Sequence, residues 1–175
     1  KADKTMTSPY QYRTIQGKSI KDGEILKEEL SLFYSVEEID PSFITKKDDI
    51  LFKVTDPFDA VMVKAEEEGL LVAANYIIIR THTEKVLPRY VSWYLNERRT
   101  RHRLNAMTQG TSIIAIRIAD LLDLSIELPP LDIQEKIVKF LELADEEIRL
   151  LERLIQEKAR LYKHIPNQML RGTKK

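Results

Sequence analysis

The 175-residue chain contains no cysteine. That excludes a disulfide framework, a thiolate metal site and a cysteine nucleophile. Its five glycines form no phosphate-cradling or dinucleotide-binding loop, and no Gly-x-Ser-x-Gly elbow is present. The three histidines, His82, His102 and His164, are isolated, with no partner at metal-ligand spacing. The run Glu66-Glu67-Glu68 is expected to be a solvated turn rather than a cation site. No apolar run approaches the roughly 18–20 residues of a membrane span, and no signal-peptide pattern opens the chain. A reducing, cytoplasmic location is therefore the expectation. Net charge is also absent, with 28 basic and 28 acidic side chains. A general polyanion binder needs clustered positive charge, so that class is excluded. What remains is a binding module with no catalytic residues and no metal.

The neutral total hides an uneven distribution. Residues 1–79 carry 10 basic and 15 acidic groups, whereas residues 80–103 carry seven and two. Arg98, Arg99, Arg101, His102 and Arg103 fall within six positions. At 100° per residue they spread around a helix, so some must face outward. Arginine suits bidentate contact with phosphate or a guanine edge. The segment reads either as a localised phosphate contact or as a solvated helix face. The loop Gln109-Gly110-Thr111-Ser112 follows. It reads either as short polar groups offered to a nucleic acid or as an ordinary helix stop.

The first 80 residues are β-rich in pattern, with strands expected at 10–16, 48–54, 60–64 and 70–79. Lys21-Asp22-Gly23 is a turn signal, and Glu66 to Gly69 reads as a hairpin-like connection. Pro88 suits a first helical position. A helix is expected from there to about Met107, burying Val91, Tyr94, Leu95 and Leu104. Strands at 111–116 and 124–128 flank a helical turn at 118–123.

After Pro129-Pro130 the pattern changes. Asp132 and Glu135 form a capping pattern, and no Pro or Gly follows until Pro166, the expected stop. Ile137, Leu141, Ala144, Ile148, Leu151, Ile155, Lys158, Tyr162 and Ile165 step by four and three, so eight of nine seam positions are apolar or aromatic. Such a helix is about 50 Å long and would project from a domain of this size unless folded back on it. A projecting seam needs a partner helix. Phe140, Leu150, Leu154 and Leu161 add a flanking stripe wide enough for a third chain. The fold class is α+β. A β-rich domain spans 1–130, a coiled-coil helix 131–165 and a basic tail 166–175.

Several of these segments together resemble a known family. Gln109-Gly110-Thr111-Ser112, then Ile116-Arg117, then Ile126 to Ile137 and the heptad helix are similar to the specificity subunit of type I restriction–modification enzymes. Pro129-Pro130-Leu131, Gln134 and Ile137 match that family's junction. Lys47-Asp48-Asp49-Ile50-Leu51-Phe52 resembles its "GDILF" strand, with Asp48 where glycine is usual. The resemblance covers residues 45–165.

It implies a non-catalytic reader of double-stranded DNA whose globular target-recognition domain recognises half of a bipartite site. It implies helices that set the spacing and dock methyltransferase subunits, with S-adenosylmethionine on those partners, and a restriction subunit as a further partner. The pattern has two recognition domains and two helices; this chain has one of each, so it pairs with itself or is part of a longer chain. A homodimer through Ile137, Leu141, Ala144, Ile148, Leu151, Ile155 and Tyr162 would require a gapped palindrome. Candidate DNA-facing groups are Arg98, Arg99, Arg101, Arg103, Gln109, Gly110, Thr111 and Ser112, with Lys53 and Lys64. Two other functions are weighed. One is a coiled-coil scaffold or decoy that binds methyltransferase without DNA. The other is a catalytic fragment, which lacks support: Pro129-Pro130 sits between leucines, and Gln134-Glu135-Lys136 and Gln156-Glu157-Lys158 fall on the heptad helix.

Overall fold

The computed structural model describes residues 9–21, 23–82, 84–108 and 115–172. They divide into two compact units, one ending at Gln134 and one beginning at Glu135. The α+β class holds. No helix among the described residues is long and apolar enough to cross a membrane.

Among the described residues, the first unit contains eight strands. β1 (Tyr10–Ile15) lies between β4 (Ser31–Ser35), antiparallel, and β7 (Leu71–Val72), parallel. β2 (Ile20–Lys21) and β3 (Glu24–Ile25) form a small hairpin across the expected turn. β5 (Ile50–Lys53) is central in a third sheet, between β6 (Ala60–Met62) and β8 (Tyr76–Ile79), both antiparallel. Ile15, Ile25, Leu51, Val61, Val63, Leu70, Val72 and Tyr76 form one buried cluster joining the three sheets. β5 is apolar at consecutive positions because Ile50, Leu51 and Phe52 are all buried. Asp48, in the turn that leads into β5, has φ 68°. This left-handed position is the one where the family pattern carries glycine, and Asp tolerates it better than most residues.

Several expectations are corrected. The 60–64 and 70–79 segments do not pair as a hairpin; β6 pairs β5, and 70–79 divides into β7 and β8 in different sheets. In the acidic turn between them Glu66 and Glu68 are exposed as expected, whereas Glu67 is turned inward. Glu67 is buried and its Oε2 accepts the Lys64 N–H at 2.7 Å, while Glu68 accepts the Lys47 N–H. Thr45 closes the same loop, donating to the Glu67 carbonyl and accepting from the Leu70 N–H. β2, β3 and β4 are too short or too irregular in pattern to be read from alternation.

The helix expected from Pro88 to Met107 is two helices, α1 (Pro88–Asn96) and α2 (Arg98–Met107). Glu97 is extended, with ψ 141°, and its carboxylate accepts the Arg99 N–H at 2.8 Å as the cap of α2. Asn96 is drawn off to the sheet. Its amide accepts from the Ala60 N–H and donates to the Ala60 carbonyl, completing the open edge of β6 as a neighbouring strand would. Val91, Leu95 and Leu104 are buried as expected, but Tyr94 is only half-buried.

Residues 124–128 form no strand. The segment before the double proline is a strap whose alternate carbonyls are bound by side chains: Ser125 by Arg103, Glu127 by Tyr90 and Pro129 by Gln134. Its alternation is real, but its hydrogen bonds come from helices rather than a ladder. The short helix α3 (Ile118–Leu122) precedes it as expected. Of the strand expected at 111–116, only Ala115 and Ile116 are described; Ala115 bridges Thr55.

The last helix, α4, runs Leu131–Gly172. It starts one residue before Asp132, since the Pro130 carbonyl accepts from Ile133 and Gln134; Asp132 lies in its first turn. It also passes through Pro166 instead of stopping there. A proline removes one N–H donor and about 3 kcal/mol of helix preference, which a long helix can absorb near its end. At 1.5 Å per residue the 42-residue helix is about 63 Å long.

Candidate nucleic-acid interface

The burial pattern of α2 resolves how its basic groups are distributed. Thr100 and Leu104, four residues apart, are buried and fix the inner face. Arg98, Arg99 and His102 stand on the outer face, with His102 one turn beyond both arginines. An open depression of about 870 Å³ is lined by Asn96, Arg98, Arg99, Arg101, His102, Arg103 and Asn105.

The four candidate arginines fall into two pairs. Arg101 turns toward the sheet: one guanidinium nitrogen is 3.0 Å from both Asp59 and Asn96. This bonds α2 to the start of β6. Arg103 donates to the Ser125 carbonyl at 3.1 Å and holds the strap. These two have structural duties that the sequence does not reveal. Arg98 and Arg99 have no side-chain hydrogen bond or ion pair among the described residues.

Their location is also electrostatically adverse. They occupy the first turn of α2, where the helix dipole is positive and acidic residues are preferred. Two cations there cost the isolated helix a few tenths of a kcal/mol each. A phosphate would remove that penalty, because dipole and guanidinium charge then act together.

The other candidates are dispersed. Lys53 ends β5, half-buried, and its N–H bonds the carbonyl of Asp59, the residue whose carboxylate holds Arg101. It therefore shares an end of the sheet with α2. Lys64 is past the other end of β6, 3.4 Å from Glu24, and is not gathered with the arginines. Gln109, Gly110, Thr111 and Ser112 lie outside the described residues; on either side, Thr108 caps α2 by bonding Asn105, and Ala115 bridges Thr55.

One residue whose role the sequence hides is Gln134, which is 1% exposed. Its side-chain oxygen accepts the Leu87 N–H at 2.9 Å, the cap position of α1. Its amide nitrogen donates to the carbonyls of Lys85 and Pro129. The first turn of α4 is thereby fastened to the start of α1 and to the strap. Only an amide of this length supplies one acceptor and two donors at once. Tyr90 adds a second clasp: burial first, then Tyr94 and Glu127, raise its hydroxyl pKa, so it stays a donor to Glu127. Arg117, just before α3, donates two hydrogen bonds to the Asp120 carboxylate, which raise the Arg117 pKa and lower that of Asp120.

The seam residues of the second unit differ from this clasped arrangement. Ile137, Leu141 and Ala144 are half-buried, whereas Ile148, Leu151, Ile155 and Tyr162 are exposed. The flanking Phe140, Leu150, Leu154 and Leu161 are exposed too.

Comparison with known proteins agrees with this layout. Residues 3–158 match the family described as type I restriction modification DNA specificity domain. No curated protein sequence matches. Among solved structures, the chain is similar to one from work on complex assembly and conformational transition of the type I R-M system, with a TM-score of 0.69 and 22% identity. It is also similar to the HsdS subunit from Thermoanaerobacter tengcongensis, with a TM-score of 0.68 and 20% identity. In each case the match covers 84% of this chain and 39% of the other, so the chain spans well under half of each relative. The fold is shared with both, and the chain belongs to the family of type I restriction modification DNA specificity domains.

Proposed function

We propose that this chain is a non-catalytic DNA reader for a type I restriction–modification assembly. The globular unit contacts one half of a bipartite duplex site, with Arg98 and Arg99 on phosphate. Lys53 lies at the same end of the sheet, and Gln109 to Ser112 follow α2 in sequence. Arg101 and Arg103 orient α2 rather than meet DNA, and Lys64 has no part in the contact. The observation that carries this reading is the pair of exposed arginines placed at the positive end of α2 with no partner among the described residues. Such a breach of local rules is expected where binding, not folding, chose the residue.

α4 supplies the spacing. Two copies pair along the seam in antiparallel fashion and hold two readers apart. Charge supports this direction. Residues 131–149 carry six acidic and three basic groups, and residues 150–172 carry two and five. Antiparallel packing sets each acidic half against a basic one; parallel packing sets like against like. Methyltransferase subunits, which hold S-adenosylmethionine, dock on the flanking stripe.

The test is DNA binding measured against salt, using the chain with its methyltransferase partner and a duplex from the sites that this complex methylates. Arg98→Ala and Arg99→Ala should each weaken binding about 3- to 10-fold and lower the salt slope by about 1. Unchanged affinity and slope in the double variant would refute the placement. The methylated sites should be gapped palindromes; contiguous or asymmetric sites would refute the paired-reader arrangement.

A further inference from the structure

The exposed side of α2 carries more than its two free arginines. Thr100 and Leu104 are buried and define the inward direction. At about 100° per residue, His102 lies opposite the midpoint of that pair, at the crest of the exposed side. Arg98 precedes it by four positions and Asn105 follows it by three, so the three form one ridge. His102 and Asn105 are exposed, and among the described residues neither side chain has a hydrogen bond or ion pair. Both residue types rank low as helix formers, so folding does not account for their place in the middle of an exposed helix face. We propose that His102 and Asn105 read base edges in the major groove and are specificity-determining residues. The inference rests on the phosphate contact proposed above for Arg98 and Arg99 and extends it along the same helix.

Distance and chemistry both favour this placement. The major groove is about 12 Å wide and admits an α-helix. Where α2 crosses it with its first turn held on phosphate at the rim, His102 is about 6 Å beyond Arg98 along the axis. That brings His102 over the middle of the groove, and Asn105, about 10 Å beyond Arg98, over its far half. Along the same distance the ridge changes from guanidinium groups suited to phosphate to short side chains suited to base edges. The depression around it is lined by four arginines and no acid, so nothing in the lining repels a polyanion. The two residue types also predict what is read. An asparagine amide offers a donor and an acceptor side by side and pairs with N6 and N7 of adenine. An imidazole N–H donates to N7, which both purines present in the major groove and pyrimidines lack. Asn105 should therefore require adenine at one position of the half-site, and His102 a purine at another.

The test uses the full chain with its methyltransferase partner and a duplex from the sites that this complex methylates. A panel of duplexes replaces each base pair of the half-site singly. With the unaltered chain, a wrong base pair at a read position should weaken binding about tenfold. His102→Ala and Asn105→Ala should each abolish that discrimination at one position, leaving the other positions, the salt slope and the melting temperature unchanged. Sequencing of the sites methylated by each variant complex should show the same new degeneracy. Uniform weakening across the panel with a shallower salt slope would make both residues phosphate contacts and overturn base reading. Discrimination retained at every position would overturn it too. Arg98→Ala with Arg99→Ala, run beside them, should instead weaken binding to every duplex alike and lower the salt slope. The phosphate contact and the base contacts thus succeed or fail by different readouts.

Discussion

The two units use polar and apolar groups in opposite ways. In the globular unit, side chains complete the backbone: Gln134 serves α1 and the strap, Asn96 serves the β6 edge, and Thr45 closes the loop before β7. Apolar groups such as Ile15, Leu51, Val61 and Val72 are buried there against one another. In the second unit, the ion pairs Lys139–Glu142 and Arg160–Glu157 are exposed i,i+3 contacts that contribute little. Its large apolar groups, from Ile148 to Met169, are open to solvent. One unit buries its seams within its own chain; the other leaves an apolar stripe uncovered.

That contrast can be broken experimentally. The largest effect is expected for Leu151→Asp with Ile155→Asp. Placing two carboxylates in the seam should weaken self-association more than about 100-fold by sedimentation, with the melting temperature of the globular unit unchanged. Next, Gln134→Leu should destabilise the globular unit by about 2–4 kcal/mol in urea unfolding, because it leaves a buried N–H and two carbonyls without partners. A smaller effect concerns pH. Burial first, then the charge of Asp59, pushes the Tyr76 hydroxyl up to about 12. A folded-state pKa above the unfolded value of about 10 gives stability that is complete below pH 10 and is lost as pH rises toward 12. Tyr76→Phe should flatten the alkaline limb of the stability curve between these values. The smallest effect separates folding from binding. Arg98→Ala with Arg99→Ala should leave stability unchanged or raise it by about 0.5 kcal/mol, since it removes adverse charge from a helix start.

The parts legible in the sequence are those dictated by local pattern. β1, β5 and β6, the first helix, α3 and the heptad helix were all readable from period or from proline position. So was the grouping of Arg98 and Arg99 on a helix. The parts not legible depend on distant partners. Nothing local in Asn96-Glu97 announces that a helix breaks there, because the cause is the edge of β6. The strap has a strand's alternation, but its donors are Tyr90, Arg103 and Gln134. The same long-range ties separate Arg101 and Arg103 from their neighbours, although all four arginines look alike in sequence. Pro166 reads locally as a stop, but its one lost hydrogen bond is absorbed by the many others of a 42-residue helix.

The strap also decides where this fold can be spliced. The double proline marks an obvious join for building chimeras, but a cut there parts Gln134 from the carbonyls of Lys85 and Pro129 and from the Leu87 N–H. Grafted onto a foreign rod without glutamine at that place, the reader would lose its fastening. A junction after Gln134 carries the whole buckle with the reader, making the unit that ends at Gln134 the natural cassette to exchange.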